Sequence, residues 1–176
     1  STTKEYSKRI IIKLKKSHYD IIELHNRPIM VSDFVKKINS KIILYFHNDP
    51  RTMKGAKTVN DRIILLNSVD KIIFISNWVK RKFFEGLPNF SENKTQVIYH
   101  SIDPVTKKTK KNKQIIFVGK LNESKGYDLF CKALFPILDK HTDWKAISIG
   151  DEKRFQHYNT HKKHINLGQI SHKKVL

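Results

Sequence analysis

A mostly parallel, doubly wound α/β fold in two lobes is what this chain of 176 residues predicts, and three observations predict it. Short runs that are almost wholly apolar or β-branched recur along its length, as strands buried in a parallel sheet require. Helix-compatible stretches separate those runs at the period of βαβ units. The segment from Asp103 to Lys113 breaks the rhythm with five lysines, no large aromatic residue and a proline at position 104. A self-repelling stretch of this kind reads as a linker. The expected organisation is a first Rossmann-like domain over 1–103, a lysine-rich linker over 104–113 and a second Rossmann-like domain over 114–176, the two facing a cleft.

Seven segments qualify as strands: 20–24, 42–46, 71–75, 95–99, 114–118, 144–149 and 164–167. Helices are expected between them. Tyr6, Ile10 and Leu14 mark one face of the first, and Ser32 is placed to cap the second. The stretches 77–84 and 127–138 supply two more, with Pro136 expected to bend or end the latter.

Composition limits the class of protein. Hydrophobic residues make up 39% and aromatic residues 10% of the chain, too much for a disordered segment. The apolar runs are far shorter than a membrane span, and the first residues contain no apolar core of a signal peptide. These features place the chain in the cytoplasm. The single Cys131, among Leu129, Phe130, Ala133 and Leu134, reads as a small core residue. The formal charge is +19, from 35 Lys plus Arg against 16 Asp plus Glu, and it calls for an anionic partner. Lysine far outnumbers arginine, the usual reader of base edges, and the aromatic residues fall within strand patterns rather than on a stacking platform. Nucleic acid is therefore not the expected partner. A membrane surface asks only for charge, and each lysine near anionic lipid contributes about 1 kcal/mol.

The most informative stretch is Ile115-Ile-Phe-Val-Gly-Lys-Leu-Asn-Glu-Ser-Lys-Gly126. It reads as a strand ending at Gly119, where a missing Cβ lets another group approach the backbone, followed by a helix beginning near Ser124. Lys120 and Lys125 would add positive charge for a phosphate. On spacing alone, an ordinary strand-to-helix connection with two solvated lysines fits equally well. His157, His161 and His164 are spaced at i, i+4 and i+7. Lys162 and Lys163 crowd them and no carboxylate lies between them, so the pattern reads as a surface stripe and no metal site is expected.

Five motifs in order, Asp20-Ile-Ile-Glu-Leu-His-Asn-Arg-Pro28, Ile43-Leu-Tyr-Phe-His-Asn-Asp-Pro50, Ile73-Phe-Ile-Ser-Asn-Trp-Val-Lys80, Val97-Ile-Tyr-His-Ser-Ile-Asp-Pro104 and Val118-Gly-Lys-Leu-Asn-Glu-Ser-Lys-Gly126, closely resemble glycosyltransferase family 4. Ile147-Ser-Ile-Gly-Asp151 and Ile165-Asn-Leu-Gly-Gln-Ile170 extend the likeness over nearly the whole chain. The resemblance implies a GT-B fold and a hexosyltransferase that uses a nucleotide-diphosphate sugar as donor, needs no further cofactor and retains anomeric configuration. It implies a glycan or lipid-linked acceptor in polysaccharide assembly, and peripheral attachment to the inner membrane face fits the basic first helix.

Carried over residue by residue, the resemblance assigns the donor diphosphate to Gly119, Lys120 and Lys125, and the nucleotide to Gly150, Gln169 and Ile170. His47 matches the active-site histidine, and His25 ends the preceding strand on the acceptor side or serves the fold alone. Two departures stand out. The first basic position is more often arginine, so Lys120 keeps the charge without the bidentate fork. Where the family has Asn-Gly before Ile-Asp, this chain has His100-Ser101. The resemblance also implies a first strand before Ser1 and a paired-glutamate motif after Leu176, so the sequence corresponds to the middle of such an enzyme. An inactive relative, or a basic module holding a polyanion, are the alternatives.

Overall fold

The computed structural model describes residues 2–88, 91–104, 110–151 and 161–171. They form two compact units, Ser1–Asp103 and Pro104–Leu176. The lysine-rich run falls at this boundary, and its residues 105–109 lie outside the described residues.

The first unit holds a four-stranded, wholly parallel sheet in the order β1-β2-β3-β4. The strands are β1 (Ile21–His25), β2 (Lys41–Phe46), β3 (Lys71–Phe74) and β4 (Thr95–Val97). Each lies inside or within a residue of its expected run, because an apolar run that must be buried leaves the strand little choice of position. Burial alternates along β1 and β2, so one face of each is covered more fully than the other.

Four helices pack with this sheet: α1 (Thr3–Leu14), α2 (Val31–Lys37), α3 (Val59–Ser68) and α4 (Asn77–Phe84). In α1 the inward residues are Ser7 and Ile11, with Ile10 and Leu14 half-buried, whereas Tyr6 is about half exposed. The buried stripe is thus turned by one position from the expected face. The Ser7 hydroxyl donates to Asp33 Oδ2 at 3.3 Å, which lets a polar residue sit inside. Ser32 does not cap α2. Pro28 opens a 3-10 turn, Pro28–Met30, that runs straight into the helix, so Ser32 lies one residue inside it. Helix α3 is not among the expected helices, although its start is signalled by a capping box. There, Asp61 N donates to Thr58 Oγ1 at 3.0 Å and Thr58 N donates to Asp61 Oδ2 at 3.1 Å.

The core of this unit centres on Phe34, Phe46, Phe74 and Phe83, all at most 1% exposed. The Phe74 and Phe83 rings are 5.2 Å apart and the Phe46 and Phe83 rings 5.5 Å apart, in tilted geometry.

The second unit holds a parallel sheet in the order β5-β6-β7: β5 (Gln114–Val118), β6 (Lys145–Ile149) and β7 (His164–Asn166). One helix, α5 (Tyr127–Lys140), buries Tyr127, Cys131, Leu134 and Leu138, which agrees with Cys131 as a core residue. It runs through Pro136 to Lys140, past the expected break. Leu134 and Leu138 bracket the proline and are fully buried, and this anchoring outweighs the one lost backbone donor. No helix among the described residues is long and apolar enough to cross a membrane.

Candidate functional site

In a parallel sheet all strands finish at one edge, and ligands of doubly wound folds gather there. In the first unit that edge carries three histidines from three chain segments. His25 ends β1, His47 follows β2, and His100 follows β4. The register that pairs His25 with Tyr45 sets the first two side by side. His25 Nδ1 and His47 Nε2 are 2.8 Å apart, and His47 Nδ1 and His100 Nε2 are 3.1 Å apart. At the outer end His25 Nε2 lies 3.2 Å from Glu23 Oε2. The Tyr45 hydroxyl donates to Glu23 Oε1 at 3.4 Å, and the Tyr45 ring stacks on His25 at 4.5 Å.

The backbone is arranged to hold this row. Asn26 adopts a left-handed conformation, φ 53°, which an asparagine tolerates better than most residues. Its side-chain oxygen accepts from His47 N at 2.8 Å. Beyond His47 the chain turns at Pro50, where Asp49 accepts from Arg51 N at 3.0 Å and pairs with the Arg51 guanidinium at 2.7 Å. Arg51 also pairs with Glu85. These bonds to Arg51 hold the Asp49 carboxyl below its usual range. Arg62, 2% exposed, donates to the carbonyls of Lys57 at 2.9 Å, Ala56 at 3.2 Å and Glu85 at 2.7 Å, tying the loop after β2 to the end of α4.

Burial, with the neighbouring His25 and His100, lowers the His47 pKa below the ordinary imidazole value. Burial and the Glu23 carboxylate raise that of the Tyr45 phenol. A cavity of about 630 Å³ opens beside the row, walled by Tyr6, Ile10 and Leu14 of α1 and by Glu23, His25 and Arg27. The sequence singled out His25 and His47 but missed Glu23 and the part played by His100. The signal available was a histidine at the end of β1, one just past β2 and one three residues past β4.

The edge of the second unit is made of backbone. Gly119, Gly150 and Gly168 follow β5, β6 and β7, all with positive φ. Gly119 N donates to Ile149 O at 2.9 Å and Gly150 N to Gly168 O at 2.8 Å, so the pairing of the strands continues past their ends. A Cβ on Gly150 would lie 1.8 Å from Gly119 O, a distance no side chain can accept. The close approach that requires this glycine is therefore already present between neighbouring strand ends.

Lys120 and Lys125 are both exposed beside this edge. The expected helix start near Ser124 is a 3-10 turn, Glu123–Lys125, and α5 begins only at Tyr127, because Gly126 is left-handed at φ 73° and separates the two. Gln169 is exposed and Ile170 half-buried just after Gly168. Beneath the edge, Ser148 Oγ lies 3.2 Å from the Tyr127 hydroxyl and 3.1 Å from His164 Nε2. His161 is buried and pairs with Asp139 at 3.3 Å. His161 is thus part of the interior and His164 is half-buried against Ser148, so the two do not form a surface stripe, and His157 lies outside the described residues. Among the described residues, no group of three metal-ligating side chains is placed to hold an ion.

No family model matches the chain. Two proteins of Bacillus subtilis (strain 168) are similar to it. YtcC, which carries a provisional glycosyltransferase name, is 30% identical over an alignment covering 82% of this chain and 40% of YtcC. Spore coat protein SA is 25% identical over 84% of this chain and 44% of its own. The chain therefore spans about two fifths of the length of the curated relatives it matches. Among solved structures, TarM superposes with a TM-score of 0.66 over 94% of this chain and 36% of TarM, at 12% identity. An S. aureus TarM mutant solved with Fondaparinux, alpha-GlcNAc-glycerol and UDP gives 0.64 at 12% identity, over 91% of this chain and 36% of that one. The fold is part of the GT-B fold.

Proposed function

We propose that this chain is part of a glycosyltransferase that moves a sugar from a nucleotide-diphosphate sugar to a glycan or lipid-linked acceptor with retention, as a member of family 4. The observation that carries the reading is the glycine edge of the second unit. Past the ends of β5 and β7, Gly119 and Gly168 have no atom nearer than 3.8 Å where a side chain would stand, which leaves room for a ligand to lie on the backbone, and two exposed ammonium groups stand beside them. The similarity to YtcC and the UDP present in the TarM mutant structure support a nucleotide sugar as the occupant.

In this reading Gly119, Lys120 and Lys125 receive the diphosphate. The lysines offset the charge that grows on it as the bond to the sugar breaks, an electrostatic contribution worth several kcal/mol in a closed site. Gly150 and the backbone at Gln169 and Ile170 take the nucleotide. His47 serves the reacting centre and His25 the acceptor side, where the adjoining cavity offers apolar and polar walls to an acceptor. Charge neutralisation rests on the lysines, and no metal cofactor is proposed. The exposed Lys4, Lys8, Lys13, Lys15 and Lys16 in and just after α1 suit a peripheral position on the inner, anionic face of the membrane.

Calorimetric titration with UDP and GDP tests the reading. Saturable binding of one of them is expected, weakened roughly 100-fold in Lys120→Ala/Lys125→Ala if each ammonium contributes about 1.5 kcal/mol. Failure of both diphosphates to bind the folded chain rejects it. Binding of polyphosphate that collapses with salt, in place of diphosphate binding, would select a basic polyanion-binding module.

A further inference from the structure

The three imidazoles of the first unit have a direction. A carboxylate can only accept, so Glu23 Oε2 places a proton on His25 Nε2. With a single proton on its ring, His25 has a lone pair at Nδ1, and the 2.8 Å contact then requires an N–H on His47 Nε2 to fill it. His47 Nδ1 is in turn an acceptor, and His100 Nε2 donates to it across 3.1 Å. Both nitrogens of His47 are thereby occupied. The open end of the row is His100 Nδ1, left as a lone pair. Among the described residues the carboxylate facing the row is Glu23 on β1. From β2, Tyr45 stacks on His25, and Asn77 at the start of α4 bonds the Tyr99 hydroxyl at 2.9 Å.

We propose that His100 is the group that takes the proton of the acceptor hydroxyl, and that His47, His25 and Glu23 form a wire that carries the charge away from it. The proposal rests on the glycosyl-transfer reading above. The acceptor O–H donates to His100 Nδ1. As the bond from the acceptor oxygen to the sugar's anomeric carbon forms, the bond from that carbon to the diphosphate oxygen breaks, and its electron pair leaves with the nucleoside diphosphate. The hydroxyl proton passes to His100 Nδ1, the His100 Nε2 proton to His47 Nδ1, the His47 Nε2 proton to His25 Nδ1, and the His25 Nε2 proton to Glu23. Each imidazole ends neutral in the other tautomer and the carboxylate ends protonated, so atoms and charge balance. The positioning of His47 between two imidazoles, with its tendency to stay neutral, suits a group that passes a proton without keeping it. His100, which departs from the family's Asn-Gly, is the residue that opens this path.

The test joins spectroscopy to turnover. Imidazole ¹⁵N spectra of the whole chain at neutral pH are expected to show the Nε2–H tautomer at His25, His47 and His100. Glu23→Gln is expected to move the titration of His47, two links away, to lower pH. With water as acceptor, hydrolysis of UDP-glucose or GDP-mannose is expected to fall about 100-fold or more in His100→Asn, with UDP and GDP affinity unchanged. The acid limb of its pH profile is expected to shift down in Glu23→Gln. Mixed tautomers, independent titrations, absent hydrolysis, or a pH profile indifferent to Glu23 each overturn the wire, even where nucleotide binding persists. Loss of UDP and GDP binding with the coupled titration intact would instead defeat the glycosyl-transfer reading and take the wire's assigned task with it.

Discussion

The two sheets end in opposite ways. The edge of the first unit is crowded with side chains that titrate, three imidazoles and a carboxylate in one hydrogen-bonded row. The edge of the second is bare backbone, three glycines with exposed lysines nearby. Parallel α/β architecture delivers strand ends to one side in both, so the contrast comes from the few residues past each strand and not from the fold. Imidazoles hold and move protons. A glycine leaves the main chain uncovered wherever no neighbour fills the space, and ammonium groups attract negative charge.

The contrast breaks most sharply at Gly150. Gly150→Ala forces a Cβ to within 1.8 Å of Gly119 O and fixes an alanine at φ 140°. The expected outcome is a loss of roughly 4 kcal/mol or more in the second unit, with the first unit's transition unmoved. Urea denaturation followed separately at Trp78 and Trp144, one in each unit, reads the difference. A comparably stable variant would mean that the strand ends can part.

Arg62→Ala is the corresponding change in the first unit and a smaller one. It leaves the carbonyls of Ala56, Lys57 and Glu85 without the guanidinium they accept from. A loss of about 3 kcal/mol, confined to the first unit, is expected in the same experiment.

The smallest effect is on pH dependence, and it sharpens the comparison because each edge has one depressed histidine. Burial lowers the pKa of His47 in the first unit and of His164 beneath the second edge, in each case with help from neighbouring histidines. The unfolded chain therefore takes up protons first as pH falls below about 6.5. Stability is steady above that value and declines on the way down to the folded-state values. Denaturation midpoints measured between about pH 7 and pH 5 should show this slope, and His47→Asn and His164→Asn should each flatten the part belonging to their own unit. A midpoint that rises on acidification would refute it.

What the sequence disclosed follows the range of the forces involved. Strands such as 114–118 were legible because a short apolar run with a glycine after it has few other fates. Pro136 misled because the local cost of a proline is visible in sequence, whereas the burial of Leu134 and Leu138 that offsets it is a property of the packed unit. Ser32 misled for a similar reason, since Pro28 had already set the helix entry. At the site, Lys120, Lys125 and the glycines could be read from one contiguous stretch or from strand ends. The histidine row could not. It draws on residues 23, 25, 47 and 100, which only the sheet's register brings together. The helix capped by Thr58 and Asp61 carries a local start signal, but its apolar pattern is broken by Asn60, Asp61 and Arg62, which hides its period.

Arg62 carries one consequence beyond stability. Salt bridges to carboxylates weaken in acid, but this guanidinium is held by main-chain carbonyls, which do not titrate, and acid does not remove its charge. The far end of the loop after β2, at Ala56 and Lys57, is thus fastened by a clamp deaf to acidity, whereas its near end beside His47 leans on the carboxylates of Asp49 and Glu85 that pair with Arg51. The two ends of one loop therefore answer acid differently: the end beside His47 loosens as its carboxylates take up protons, and the end held by Arg62 stays fastened.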